Sequence, residues 1–214
     1  MNDNVNNTTE QDEEVTSNPF AAVESGEAEN ENQEKKRSAK SIIGEILLYA
    51  VLIFCCIYVI PNYVVQRTVV NGQSMENTLH NRESLFIDKI SYRFVKPSRY
   101  EIITFEPPED YKKSEDELYV KRIYGLPGET IQIKDNDILI NGQKVEDKYA
   151  KKGMDEAGIA EEPIKLKDDE VFVLGDNRGV SQDSRIIGPI KLNRIQGRAV
   201  LRIWPISKFG TIDK

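Results

Sequence analysis

Cysteine is nearly absent from this chain of 214 residues: there are two, Cys55 and Cys56, adjacent to each other. Neighbouring cysteines inside an apolar run do not make a disulfide framework, so everything after Pro61 must fold without staples and without cysteine-ligated metal. Histidine is scarcer still, with His80 the single example. A Ser-His-Asp site would have to use it, and histidine-based zinc chemistry has too few ligands. The chain also lacks internal repeats, long alternating strand-and-helix patterns, and any block of Lys and Arg dense enough to suggest nucleic acid. No metal, cofactor, DNA or RNA is expected.

Basic residues are missing altogether from Met1 to Glu34, where every charged residue is acidic and the rest is mostly Asn, Gln, Thr, Ser and Ala. Such a segment cannot bury enough apolar surface to offset chain entropy. The reading is a disordered acidic tail over 1–40 that ends in a basic cluster. Residues 1–34 supply more than the whole formal charge of -7 and leave the rest of the chain slightly basic.

What the rest does contain begins with "IIGEILLYAVLIFCCIYVI", Ile42 to Ile60, in which Glu45 is the one charged residue. At ~1.5 Å per residue a helix of this length reaches about 28 Å, enough for a bilayer core. It is apolar on every face, unlike a core helix, and "IPNYVVQRT" offers no small-x-small cleavage site. A membrane anchor over 41–61 is the expectation. Lys35, Lys36, Arg37 and Lys40 precede it and Arg67 alone follows soon after. That asymmetry predicts a single pass with the tail in the cytoplasm and residues 62–214 outside.

Beyond the anchor, short β-branched and aromatic stretches alternate with turn residues: "YVVQRTVV", "SLFIDKI", "EIITFEPP", "LYVKRIYG", "TIQIKDNDILINGQKV", "VFVLGDN", "RAVLRIWP". The pattern predicts a mainly antiparallel β fold, with hairpins centred on Asn136-Asp137 and Asn141-Gly142. Residues 146–170 read as a charged surface excursion without a chemical role.

A serine in a glycine-containing turn, Ser74 of "VVNGQSMENTLHN", is a candidate nucleophile. His80, six positions on, reads better as a solvent-facing loop residue. Lysine is the other side chain able to take the proton, once desolvated. Lys121 in "ELYVKRIYGLPGE" shares a strand face with Tyr119 and Ile123, which makes it a candidate; spacing alone does not place it beside Ser74.

"NGQSMENTLHN", "RYEIITFEPP", "YVKRIYGLPGE" and "LGDNRGVSQDSRIIG" occur in the order and spacing of type I signal peptidases, and the chain resembles the single-anchor form of Gram-positive bacteria. The resemblance implies the antiparallel β catalytic fold shared with LexA-like proteins and cleavage of signal peptides from exported preproteins after Ala-x-Ala-type sites. It puts Ser74 on the nucleophile and Lys121 on the general base. The Ser74 backbone N–H falls on one oxyanion donor, and Ser181 on a hydroxyl that orients the lysine. Asp176, Arg178, Asp183 and Arg185 read as a supporting charge network. Met75, Leu79, Val120 and Val70 fall at or near substrate-pocket positions. Implied partners are signal peptides, the lipid bilayer and the protein-export machinery.

The chain departs from the family pattern at four places. Gly72 stands where many members carry a second oxyanion serine, and Asn77 stands where they carry proline. "RYE" replaces "RGD" at Arg99-Tyr100-Glu101, and "RGVS" replaces "RRNS" or "RDNS". Two other readings remain beside general signal-peptide removal: a peptidase dedicated to a few substrates such as pilus subunits, and a non-catalytic membrane-anchored binding protein. A self-cleaving repressor is disfavoured by the apolar span and the lack of a DNA-binding helix pair.

Overall fold

The structure is a computed structural model that describes residues 39–151, 153–154 and 156–212. The acidic tail expected over 1–40 falls almost wholly outside them. By its contacts the chain divides into two compact units, Met1–Ala50 and Val51–Lys214.

Helix α1 spans Ala39–Phe54 and gives way to a π-helical stretch, Cys55–Val64. Pro61 lies inside that stretch, where it has no N–H to give and its ring crowds the preceding turn. The wider π winding accommodates it, and the Val65 amide closes the stretch on the Ile60 carbonyl. Residues Lys40–Val64 make a continuous 25-residue apolar helix. Its large side chains stand exposed, Ile43 at 64% and Ile57 at 73%. An apolar helix bare on all faces fits a membrane anchor.

The remainder of the described chain is antiparallel β. Its strands are β1 (Val65–Val69), β2 (Ser84–Asp88), β3 (Ile102–Phe105), β4 (Tyr119–Gly125), β5 (Thr130–Lys134) and β6 (Asp137–Ile140). They continue as β7 (Gln143–Val145), β8 (Ile164–Lys165), β9 (Glu170–Leu174), β10 (Ile190–Lys191), β11 (Ile195–Trp204) and β12 (Gly210–Thr211), with a short helix α2 at Ser184–Ile187. The larger sheet runs β1-β2-β11-β3-β4-β9-β10, with β12 on β11, and the smaller runs β7-β6-β5-β8. All pairings are antiparallel.

Strand β4 occupies the middle of the large sheet and is covered on both sides. Ile123 packs with Ile103, Phe105, Val171 and Val173 in one cluster, and Tyr124 packs with the small sheet's Ile131, Ile133, Ile138 and Ile140 in another. A third cluster, Val70, Met75, Leu79, Leu85, Ile87, Ile102 and Ala199, sits under the turn that carries Ser74.

Two sequence expectations are corrected. The first hairpin turns at Asp135-Asn136, one residue earlier than expected, because Lys134 pairs with Asp137 and the two residues between take φ of 51° and 70°. The second turns at Asn141-Gly142 as read, at 52° and 79°. The segment 146–170 is not a plain excursion. Met154, Ala160 and Leu166 are buried in the small sheet's core, and β8 pairs with β5. Single apolar residues scattered among charges left no periodic signal for this.

Candidate active site

The chain leaves β1 and turns sharply before β2. Hydrogen bonds from the Val70 amide to the Glu83 carbonyl, and from the Arg82 amide to the Val70 carbonyl, both 2.8 Å, close the base of this loop. Within it the Leu79 amide reaches the Met75 carbonyl at 2.8 Å, and buried Met75 and Leu79 pin the turn to the core. Ser74 is thereby held at the mouth of a cleft of about 650 Å³.

Lys121 arrives from β4. Its Nζ lies 2.8 Å from Ser74 Oγ and donates to the Val120 carbonyl at 3.1 Å. Only 4% of Lys121 is exposed. Burial pulls its pKa down to about 8, against the opposing pull of the Asp183 and Asp176 carboxylates. A nearly dry amine then carries an available lone pair close to neutral pH. His80 takes no part: half exposed, it faces Glu83 at 3.6 Å.

The residue beside Lys121 points the other way. Arg122 is fully buried and grips Asp176 with two bonds, Nε to Oδ1 at 3.0 Å and Nη2 to Oδ2 at 2.8 Å. The Thr78 hydroxyl donates to Asp176 at 2.5 Å, and the Arg122 guanidinium lies 3.6 Å from the centre of the Tyr149 ring. Asp176 therefore ties the nucleophile's turn to β4 and to its own loop. A second tie is made by backbone, Asn177 N–H to the Ser74 carbonyl at 3.0 Å.

The remaining network residues support this loop from behind. Asp183 accepts from the Gly175 amide at 2.9 Å and from Arg185 Nε at 2.8 Å. Arg178 donates to the Gly175 carbonyl at 2.9 Å, to Tyr124 Oη at 2.9 Å and to both oxygens of Asp147. Arg122, Thr78, Tyr124 and Asp147 were missed in the sequence. The one available signal was an arginine inside an otherwise apolar strand.

Ser181 makes no hydrogen bond to Lys121. It is 5% exposed, and its hydroxyl has no hydrogen-bond partner among the described residues. It stands against Gly175, where an added Cβ would collide with the Ser181 side chain and lie 2.6 Å from the Ser74 carbonyl oxygen. Glycine is required there by the close approach of two chains.

Val70, Met75 and Val120 line the cleft with Ser74 and Lys121, whereas Leu79 does not and belongs to the core beneath. The Ser74 amide donates to no group among the described residues and is free to meet a substrate oxyanion. The Gly72 amide is taken by Asn81 at 3.1 Å.

A model of the family described as "Signal peptidase, peptidase S26" matches residues 43–204. The chain belongs to this signal peptidase family. It is 39% identical over 156 residues to a signal peptidase I of Leptolyngbya laminosa, covering 72% of this chain and 75% of that one. To signal peptidase I S of Bacillus subtilis (strain 168) it is 34% identical over 188 residues, covering 84% and 96%. As a signal peptidase it acts on preproteins that carry signal peptides.

Three departures from the family pattern have a backbone rationale. Gly72 takes φ +115°, which side-chain-bearing residues rarely adopt, so a serine there would be strained. Asn77 takes φ 102°, out of proline's reach. Tyr100 occupies the family's glycine position at φ 71°. Its ring meets Tyr124 and Tyr149, both at 5.4 Å between centroids, and its hydroxyl donates to the Glu146 carbonyl at 3.1 Å. These contacts offset a strain on the order of 1–2 kcal/mol.

Proposed function

We propose that this protein removes signal peptides by Ser/Lys acyl transfer from a single-pass membrane anchor, with residues 1–40 in the cytoplasm and the β domain outside. The observation that carries the mechanism is the 2.8 Å approach of a buried Lys121 Nζ to Ser74 Oγ. Neutral Lys121 takes the Ser74 hydroxyl proton as Oγ attacks the carbonyl carbon of the scissile bond. Negative charge gathers on the carbonyl oxygen, which the Ser74 amide meets. Lys121 then gives its proton to the leaving nitrogen, the C–N bond breaks, and an ester joins the signal peptide to Ser74. Water enters, loses a proton to Lys121, and the same steps in reverse order free the serine.

The geometry of the cleft supports cleavage after small side chains. Val70, Met75 and Val120 give the cleft an apolar wall beside the nucleophile, which suits small apolar side chains. Strand β1 ends the large sheet, and Gln66, Thr68 and Val69 line the cleft along its unpaired edge. An extended peptide can pair with that edge through backbone hydrogen bonds that do not depend on sequence.

The test is cleavage of a precursor bearing an Ala-x-Ala site by the detergent-solubilised full chain, beside Ser74→Ala and Lys121→Ala. One product from wild type and none from either folded variant supports the reading. No cleavage by wild type across a panel of precursors sinks it in favour of a narrow substrate range or a binding role.

A further inference from the structure

The segment joining β2 to β3 holds a feature the cleft does not use. Phe94 is 83% exposed, the barest large apolar side chain among the described residues, and Val95 beside it is 62% exposed. Neither is loose: residues Ser91–Arg93 form a 3-10 turn, and the Phe94 and Val95 amides both bond the Ser91 carbonyl, at 3.0 and 2.8 Å. A tight turn that pushes an aromatic ring into water stabilises nothing by itself.

Charge around this tip is of one sign. Lys89, Arg93 and Lys96 make no ion pair among the described residues. The nearby carboxylates are already committed. Asp88 accepts from the Ile90 and Ser91 amides at 3.0 Å each, and Glu101 accepts from Tyr92 Oη at 2.8 Å and Arg198 Nη1 at 2.9 Å. The tip thus combines two apolar side chains with three cations that are unpaired among the described residues.

Its place in the topology says what faces it. Val65 pairs with Asp88, and the Lys89 amide bonds the Val64 carbonyl at 3.0 Å. The loop therefore leaves the sheet at the strand end where the apolar helix Lys40–Val64 stops, beside half-exposed Tyr63. Ser74 lies past the opposite end of β1, five residues or about 17 Å away at ~3.3 Å per residue.

We propose that this loop is a second membrane contact, in which Phe94 and Val95 enter the interface of an anionic bilayer while Lys89, Arg93 and Lys96 meet lipid phosphates. The proposal rests on the anchored reading above. Aromatic rings favour the headgroup boundary, and long cationic side chains reach phosphates while their stems stay apolar. Two contacts at one end of the β1–β2 pair limit how far the catalytic domain can swing about its tether.

The test places Phe94→Trp in a Trp204→Phe background, so that the tip carries the sole indole. The full chain is reconstituted into phosphatidylglycerol vesicles containing brominated acyl chains, and into phosphatidylcholine vesicles of the same bromine content. Retained precursor cleavage establishes that the variant is folded. Expected is roughly a twofold loss of emission in phosphatidylglycerol. Phosphatidylcholine should give a smaller loss, and so should phosphatidylglycerol when Arg93→Gln and Lys96→Gln are added. Vesicle-bound protein with unquenched, solvent-like emission overturns the proposal alone and leaves the tip as a contact for another protein. Equal quenching with and without the cations overturns the role of charge. Failure to float with vesicles at all overturns the anchored reading, and this proposal with it.

Discussion

Arg122 and Asp176 meet through two hydrogen bonds with both side chains completely buried, one position along β4 from Lys121. Removing one partner strands the other charge in the core. Asp176→Ala is expected to cost about 3–5 kcal/mol, read as a lower urea midpoint, and to abolish cleavage at 37 °C. Exposed Lys144 and Asp137, 2.8 Å apart, supply the contrast: Asp137→Ala should cost about 1 kcal/mol or less.

The Lys121 pKa of about 8 sets a pH profile. Cleavage by wild type should rise with unit slope as the pH climbs toward 8 and level off above it. His80→Gln should leave that profile unmoved and the rate within a factor of about two, since His80 faces Glu83 and not Ser74. A profile that follows His80 instead would remove the lysine from its role.

The same group links pH to stability. Its folded pKa is depressed, so between about 8 and 10.5 the unfolded chain binds more protons and stability grows with pH. The contribution, about 3 kcal/mol at ~1.4 kcal/mol per unit, is present above 10.5 and lost as pH falls through 8. Denaturant melts at pH 7.5 and 9.5 should show wild type gaining stability relative to Lys121→Met.

Gly175→Ala tests the packing behind the nucleophile. A methyl there presses on the Ser181 side chain and the Ser74 carbonyl, and we expect a loss of about 1–3 kcal/mol with a tenfold or greater fall in kcat. Adding Ser181→Gly should recover part of both. Ser181→Ala alone removes an unpartnered buried hydroxyl and should leave stability equal or higher. Any fall in kcat at constant KM in that variant would then report a bond to Lys121 formed only with substrate bound.

Asn77→Pro imposes a φ of about -65° on a turn that here runs at 102°. The variant should lose about 3 kcal/mol or more and most of its cleavage, whereas Asn77→Gly should be nearly neutral. Thermal melts of the two variants side by side would decide it.

The strands and most turns were legible because alternation and Asn, Asp and Gly placement are local signals. The long apolar helix was legible because an unbroken apolar run is also a local signal. Ser74 and Lys121 stood out through family resemblance, since nothing in spacing brings residues 47 positions apart together. Arg122 was not legible. Alternation along a strand sends one of two adjacent cations toward water, and that rule fails where a central strand is covered on both faces. Leu79, which anchors the turn from beneath, and Met75, which also lines the cleft, look alike in sequence for a related reason.

The adjacency of Lys121 and Arg122 also bears on when the enzyme can act. A slip of one residue in β4 exchanges the two faces, presenting to Ser74 a guanidinium that cannot surrender its proton and leaving Asp176 opposite the wrong cation. Misregistered chains are therefore both unstable and hydrolytically silent. On the Ser/Lys mechanism proposed above, cleavage then requires the register that also pairs Arg122 with Asp176.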